Sequence, residues 1–326
     1  LIPLVHNEML KMIRKRRFTA IAWIIAALTL LFSYAEKKEL DTLYERLGSD
    51  DWRTALQTKI VDAQNRLNSP SLPAKTKKNL RLLIRQQQYY LERDINPHAP
   101  GAPGFMRLLL DDSIHLFIPL LVVVVASDLV ASEAGSGTLK LLLTRPVKRW
   151  KVLAGKYIAL LLSVSFILLL MGVLSCLLSG FFFGFGGWQN PVLTGFRPAG
   201  EDLDVSNVHL LPLWRYLLFQ FGFAWFAGTA VGSMTLMFSV LFKSTPLVIG
   251  IMVAFLTSGA TLSNMVSSWP SAKYLFMINL QLANYLNGRM PPVEGMTLSF
   301  SLAVLALWAA AALAVSFMIF TKKDIY

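Results

Sequence analysis

Apolar residues run in long unbroken stretches along this chain, with the polar residues gathered between them. Tyr157–Phe185, Tyr216–Phe242, Ser244–Ala272 and Gly295–Thr321 contain no charged residue. Each holds the ~20 mostly apolar residues that a helix needs to cross a bilayer core of about 30 Å. Phe18–Ala35 is a further apolar run behind a basic stretch, and with no convincing small-residue cleavage pattern after it, it is expected to stay as a span. Ser113–Ser127, SIHLFIPLLVVVVAS, is too short to cross alone. Its helix is therefore expected to begin near Met106, with Asp111 and Asp112 at the outer interface and a kink at Pro119. A re-entrant segment is the competing reading of that stretch.

The pattern predicts an all-α polytopic membrane protein with six transmembrane helices, at 18–35, 106–127, 152–185, 212–242, 247–269 and 298–320. Residues 1–17 precede the first. In them Val5, Met9, Met12 and Ile13 share one helical stripe, as in an amphipathic helix lying on the membrane surface. The connections are expected at 36–112, 128–151, 186–211, 243–246 and 270–297, with a partial helix at Ala272–Asn284, and the tail at 321–326.

Only 36–112 is both long and polar. Leu40, Leu43, Leu47, Trp52, Leu56, Ile60, Ala63 and Leu67 form one stripe. Leu80, Leu83, Ile84, Gln87 and Leu91 form a second after Asn68–Pro73. Prolines stop and start helices, so an antiparallel helical hairpin outside the bilayer is expected, followed by the non-helical NPHAPGAPG return.

Composition agrees with a membrane protein: 55% of residues are hydrophobic and 15% charged, against about 25% charged in soluble domains. The net charge of +12 is placed for orientation rather than for nucleic acid, which is not an expected partner. Lys11, Arg14, Lys15, Arg16 and Arg17 precede span one, and Lys140, Arg145, Lys148, Arg149 and Lys151 follow span two. Lys243 lies between spans four and five, and Lys322 and Lys323 follow span six. Basic short loops stay inside, so both termini are expected in the cytoplasm of a bacterial cell and the hairpin outside.

Candidate chemistry is sparse. No Walker A sequence occurs, and His6, His98, His115 and His209 match no metal-ligand spacing. Cys176 lies in an apolar run and has no intrachain partner for a disulfide. The chain is expected to be no enzyme by itself and to hold no cofactor or metal. Lys156 and Arg215 lie near span ends, where long side chains snorkel. Ala224, Gly228 and Gly232 share one face of the fourth span and let helices approach closely; contact within the chain is favoured over contact between subunits.

The most distinctive stretch is Asp128–Lys156, DLVASEAGSGTLKLLLTRPVKRWKVLAGK. Gly135 and Gly137 loosen it, Thr138 can cap a short helix rich in leucine, and Arg145-Pro146 ends that helix. It reads either as an interfacial helix anchored by positive charge or as a peg through which a motor pushes.

The chain resembles the permease subunit of the ABC-2 type exporters along nearly its whole length. The resemblance rests on NEMLKMIRKRRF, on ASDLVASEAGSGTLKLLLTRPVKRWKVLAGKYI, on six spans and on the closing FTKKDIY. It implies that residues 1–17 are a connecting helix and that Glu133, Gly137, Thr138, Arg145 and Pro146, with Arg149 beside them, couple to a cytoplasmic ATPase. It implies an ATP-driven exporter of a hydrophobic or amphipathic drug, lipid or peptide. Two copies of an ABC ATPase, which bind ATP and Mg, and a second identical or related permease are the implied partners. The insert at 36–112 departs from the smaller permeases and points to a peptide substrate or an external peptide or protein partner. The rival expectation is a non-transporting membrane sensor or scaffold whose hairpin binds a ligand.

Overall fold

In the computed structural model, which describes residues 1–48, 51–70, 72–138, 147–199, 202–265 and 269–322, most of the apolar runs become long helices. Helices α1 (Ile2–Arg14) and α2 (Arg17–Leu47) open the chain. α3 (Trp52–Leu67) and α4 (Ala74–Glu92) follow, then α5 (Ala102–Ser113), α6 (Phe117–Ala126) and α7 (Ala131–Gly135). α8 (Arg149–Phe183) has 35 residues, about 52 Å at 1.5 Å per residue, so it projects beyond the hydrocarbon layer.

After α8 come four short strands, β1 (Pro191–Thr194), β2 (Arg197–Ala199), β3 (Asp202–Asp204) and β4 (His209–Pro212). They make two antiparallel pairs, with Val192 opposite Leu211 and Pro198 opposite Leu203. α9 (Leu213–Leu241), α10 (Thr245–Met265), two short 3-10 turns, α11 (Asn284–Asn287) and α12 (Leu298–Lys322) complete the described chain.

Among the described residues, five stretches are long and apolar enough to cross a membrane: α2, Phe117–Gly135, α8, α9 and α12. The protein is therefore a helical, multi-pass membrane protein. In α10 the apolar stretch Thr245–Gly259 is shorter. α9 is the axis of the bundle: 72% of its most apolar window is buried, against 22% for α12 and 28% for α2. The small residues explain its position. A Cβ on Gly228 would lie 3.1 Å from Val164, and one on Gly232 would lie 3.1 Å from Leu160 and 3.2 Å from Val122. Ala224 is fully buried on the same face. The stripe thus brings α9 against α8 and α6 of the same chain.

Two expectations need correction. The stretch containing the expected second span is broken twice, with α5 ending at Ser113, α6 at Ala126, and turns between the pieces. The first span runs on without a break as far as Leu47, so Leu40, Leu43 and Leu47 extend α2 instead of opening the hairpin. Beyond these, the connection at 186–211 carries the β pairs, and the partial helix expected at Ala272–Asn284 takes the form of short 3-10 helices at Pro270–Tyr274 and Phe276–Leu280. The hairpin α3–α4 does form around the expected turn, but it shares its core with the strands. Leu56, Ile60, Leu82 and Ile84 pack with Leu193, Phe196 and Leu203, and the Tyr90 hydroxyl donates to the Leu193 carbonyl at 3.4 Å. Gly101 seals the junction: its φ is +139°, and a Cβ there would lie 2.4 Å from the Gly186 carbonyl oxygen.

Candidate functional site

At the end of the bundle opposite the hairpin, α1 folds back across the base of α8. The corner is Arg16, whose φ of 54° places it in the left-handed region, uncommon for a residue with a Cβ. A Cβ on Gly155 would lie 3.1 Å from Leu4, so this glycine admits α1 close to α8. Met12 is buried against the same helix and accepts a hydrogen bond on its sulfur from the Ser163 hydroxyl at 3.1 Å.

This packing buries charge. Lys156 is wholly inaccessible, and its ammonium lies 3.1 Å from Glu8 Oε2 and 2.8 Å from Glu133 Oε2, while donating to the Leu129 carbonyl at 2.7 Å. Lys11 donates to the other oxygen of each carboxylate, at 2.9 Å to Glu8 and 2.5 Å to Glu133. Two carboxylates and two ammonium groups therefore alternate in one cluster. Burial alone pulls the Lys11 pKa down, but the hydrogen bonds to Glu133 and Glu8 more than reverse this, and it ends above the usual lysine value. One turn along, Asp128 Oδ2 lies 2.7 Å from Lys15 and 2.9 Å from Arg17, and Arg17 also donates to the Val124 carbonyl at 2.5 Å.

The cluster grips a joint. Between α6 and α7 the helix opens over four residues, 127–130, leaving backbone groups without helical partners. Ser239 of α9 supplies them. Its hydroxyl donates to the Ser127 carbonyl at 2.8 Å and accepts from the amides of Val130 at 3.1 Å and Ala131 at 2.8 Å. Lys156 takes the Leu129 carbonyl. On the far side, a Cβ on Gly135 would lie 2.7 Å from the Lys243 carbonyl oxygen, so α7 packs directly on the turn between α9 and α10.

Of the residues singled out from the sequence, Glu133 sits inside this cluster, its side chain only 13% exposed, so its carboxylate is committed within the chain. Gly137 and Thr138 are exposed just beyond α7, with the Thr138 hydroxyl 3.0 Å from that of Ser136 and Gly137 at a φ of 73°. Arg149, at the head of α8, donates to the Thr321 carbonyl at the end of α12 at 3.4 Å. Arg145, Pro146 and the leucine-rich helix expected after Thr138 lie outside the described residues. Lys156 does not snorkel; it is the centre of the cluster. Sequence reasoning missed Glu8, Lys11, Lys156 and Ser239. The available signal was complementary: one carboxylate on an otherwise apolar stripe of α1, and one lysine within an otherwise apolar stretch of α8.

Fold and site together define a helical, multi-pass membrane protein with a charge-locked joint beneath its spans. Residues 78–326 match the family described as "Protein of unknown function (DUF2705)", and the chain belongs to that family. It is 26% identical over 336 aligned positions to "Uncharacterized protein YhcI" of Bacillus subtilis (strain 168), covering 100% of this chain and 99% of that protein. It is 28% identical over 217 positions to "Uncharacterized membrane protein YdbK" of the same organism, covering 65% of this chain and 80% of that protein.

Proposed function

We propose that the chain is the membrane subunit of an ATP-driven exporter of the ABC-2 type, which performs no covalent chemistry itself. The reading takes α10 as the sixth span, with α1, α7 and both termini in the cytoplasm and the α3–α4 hairpin outside. Two ATPase subunits bind beneath, and a second permease, identical or related, completes the complex. The observation that carries it is the cluster of Glu8, Lys11, Glu133 and Lys156, which ties α1, the α6–α7 joint and the base of α8 into one body. A motor pressing on the exposed segment beyond Gly135 would move all three pieces together. Had the segment been a lipid anchor alone, each basic group would contribute only about 1 kcal/mol near the headgroups, and a buried acidic partner would serve no purpose.

In this account Glu133 is the internal hinge pin, and the contact with the motor falls to the exposed residues after it, Gly137 and Thr138. Closure of the ATPases on ATP favours one arrangement of the joint over the other, and that difference in binding drives the transport cycle. The test is affinity purification of the chain from its native membrane in mild detergent. A P-loop ATPase in equal amount and ATP hydrolysis that depends on the permease support the reading. Recovery of the chain with no ATPase, together with no effect on any added ATPase encoded beside it, would refute it.

A further inference from the structure

A cavity of about 570 Å³ opens between α4, α5 and the segment 281–292, beneath the hairpin. Its lining holds two cations, Arg107 and Arg289, and two carboxylates, Asp111 and Asp112. Among the described residues no ion pair joins any of these four to another. Opposite charges left apart around a space are unusual, because flexible side chains normally close on one another.

Here the surroundings hold two of them in place. The Arg107 guanidinium donates to the Pro97 carbonyl at 2.8 Å and lies over the Tyr216 ring at 5.9 Å, and its buried Nε has no partner. Asp111 accepts from the amide of Gln220, a fully buried residue of α9. In the wall, the buried side-chain amide oxygen of Gln87 is also without a partner. Unmade hydrogen bonds in a buried wall are costly, and a polar guest with both donors and acceptors would relieve them.

We propose that this cavity binds a zwitterion, a ligand with an ammonium group and an anionic group at opposite ends of one short skeleton. The anion faces Arg107 and Arg289, and the ammonium faces Asp111 and Asp112. An anion alone would leave the two aspartates uncompensated, and a cation alone would leave the arginines so. Leu82, Leu108 and Met290 supply apolar walls for the carbon skeleton between the charges. The same chemistry occurs in a free short peptide and in a phosphoethanolamine lipid headgroup. The site lies at the far end of the molecule from the charge-locked joint, and its occupation does not depend on whether an ATPase drives the chain.

The experiment uses the full chain in detergent, with binding followed by calorimetry. Three probes are compared: triglycine, O-phosphoethanolamine, and triglycine blocked by acetylation and amidation. Saturable binding of either zwitterion, with none of the blocked peptide, supports the proposal, and the tighter of the two identifies the source as peptide or headgroup. Arg289→Gln and Asp112→Asn, both at exposed positions, should each weaken that binding about tenfold, the effect of losing one charge-assisted hydrogen bond. Absence of binding by both zwitterions overturns the proposal, as does equal binding of the blocked peptide or unchanged affinity in both folded variants.

Discussion

The Lys156 ammonium lies 2.8 Å from the Glu133 carboxylate with the lysine side chain wholly buried, although 23 positions separate the two in sequence and the segment between them includes the turn into α8. Breaking a buried pair by removing one partner strands the other charge, at about 3–5 kcal/mol. Lys156→Met should therefore lower the thermal unfolding temperature of the purified chain markedly. Adding Glu8→Leu, Glu133→Leu and Lys11→Met should recover part of the loss, because apolar replacements of a whole buried set are often neutral. A single variant as stable as the wild type would contradict the geometry.

Ser239→Ala removes three hydrogen bonds at the joint while leaving its backbone groups buried. The expected loss is about 1–3 kcal/mol, read from thermal unfolding in detergent. Thr235→Ala is the control, since among the described residues that hydroxyl bonds only to the Val231 carbonyl of its own helix at 2.8 Å. Equal small effects from both would mean that Ser239 does not hold the joint.

Lys11 gives a prediction against pH. Its folded pKa is raised above 10.5, so the folded state holds the proton more tightly than the unfolded one. Its contribution is fully present below that ordinary value and is lost as pH rises through the raised one. Lys11→Gln should be less stable than wild type at neutral pH, and the gap should narrow above 10.5. A gap that stays constant to the alkaline limit would exclude a charged Lys11 from the cluster.

Leu82 and Leu83 separate the observed hairpin core from the expected one. Leu82 is 5% exposed and Leu83 is 43% exposed. Leu82→Asp should melt the α3–α4 core and loosen the adjoining strands, seen as faster proteolysis of 50–95 in intact protein. Leu83→Asp should have little effect. The opposite order would return Leu83 to the core, where the spacing alone puts it.

That reversal shows where sequence reasoning reached its limit. Spans are legible because crossing a bilayer demands a long apolar run whatever surrounds it. The small stripe Ala224–Gly228–Gly232 is legible for a similar reason, since close approach needs small residues. On α4 the spacing finds Leu80, Ile84 and Leu91, which do pack in the hairpin core, but it turns Leu83 inward in place of Leu82, because that core includes Phe196 and Leu203, which arrive from more than 100 positions away. Glu8 is not legible as a site residue, because a carboxylate beside that apolar stripe looks exposed until Lys156, 148 positions on, is placed against it. The break after α6 carries no proline or glycine at 127–130; it persists because Ser239 and Lys156 satisfy the opened backbone.

The central claim is that the charge cluster transmits motion between a motor and the spans, and ATP hydrolysis by the purified complex with Glu133→Gln in the membrane subunit tests it most directly. The substitution keeps size and hydrogen bonding but removes the charge that both Lys11 and Lys156 share. The account predicts that the ATPase still co-purifies, because the proposed contact surface lies beyond Gly135, while stimulation of hydrolysis by the membrane subunit is largely lost. A folded Glu133→Gln chain that retains its ATPase and wild-type stimulated hydrolysis would contradict it.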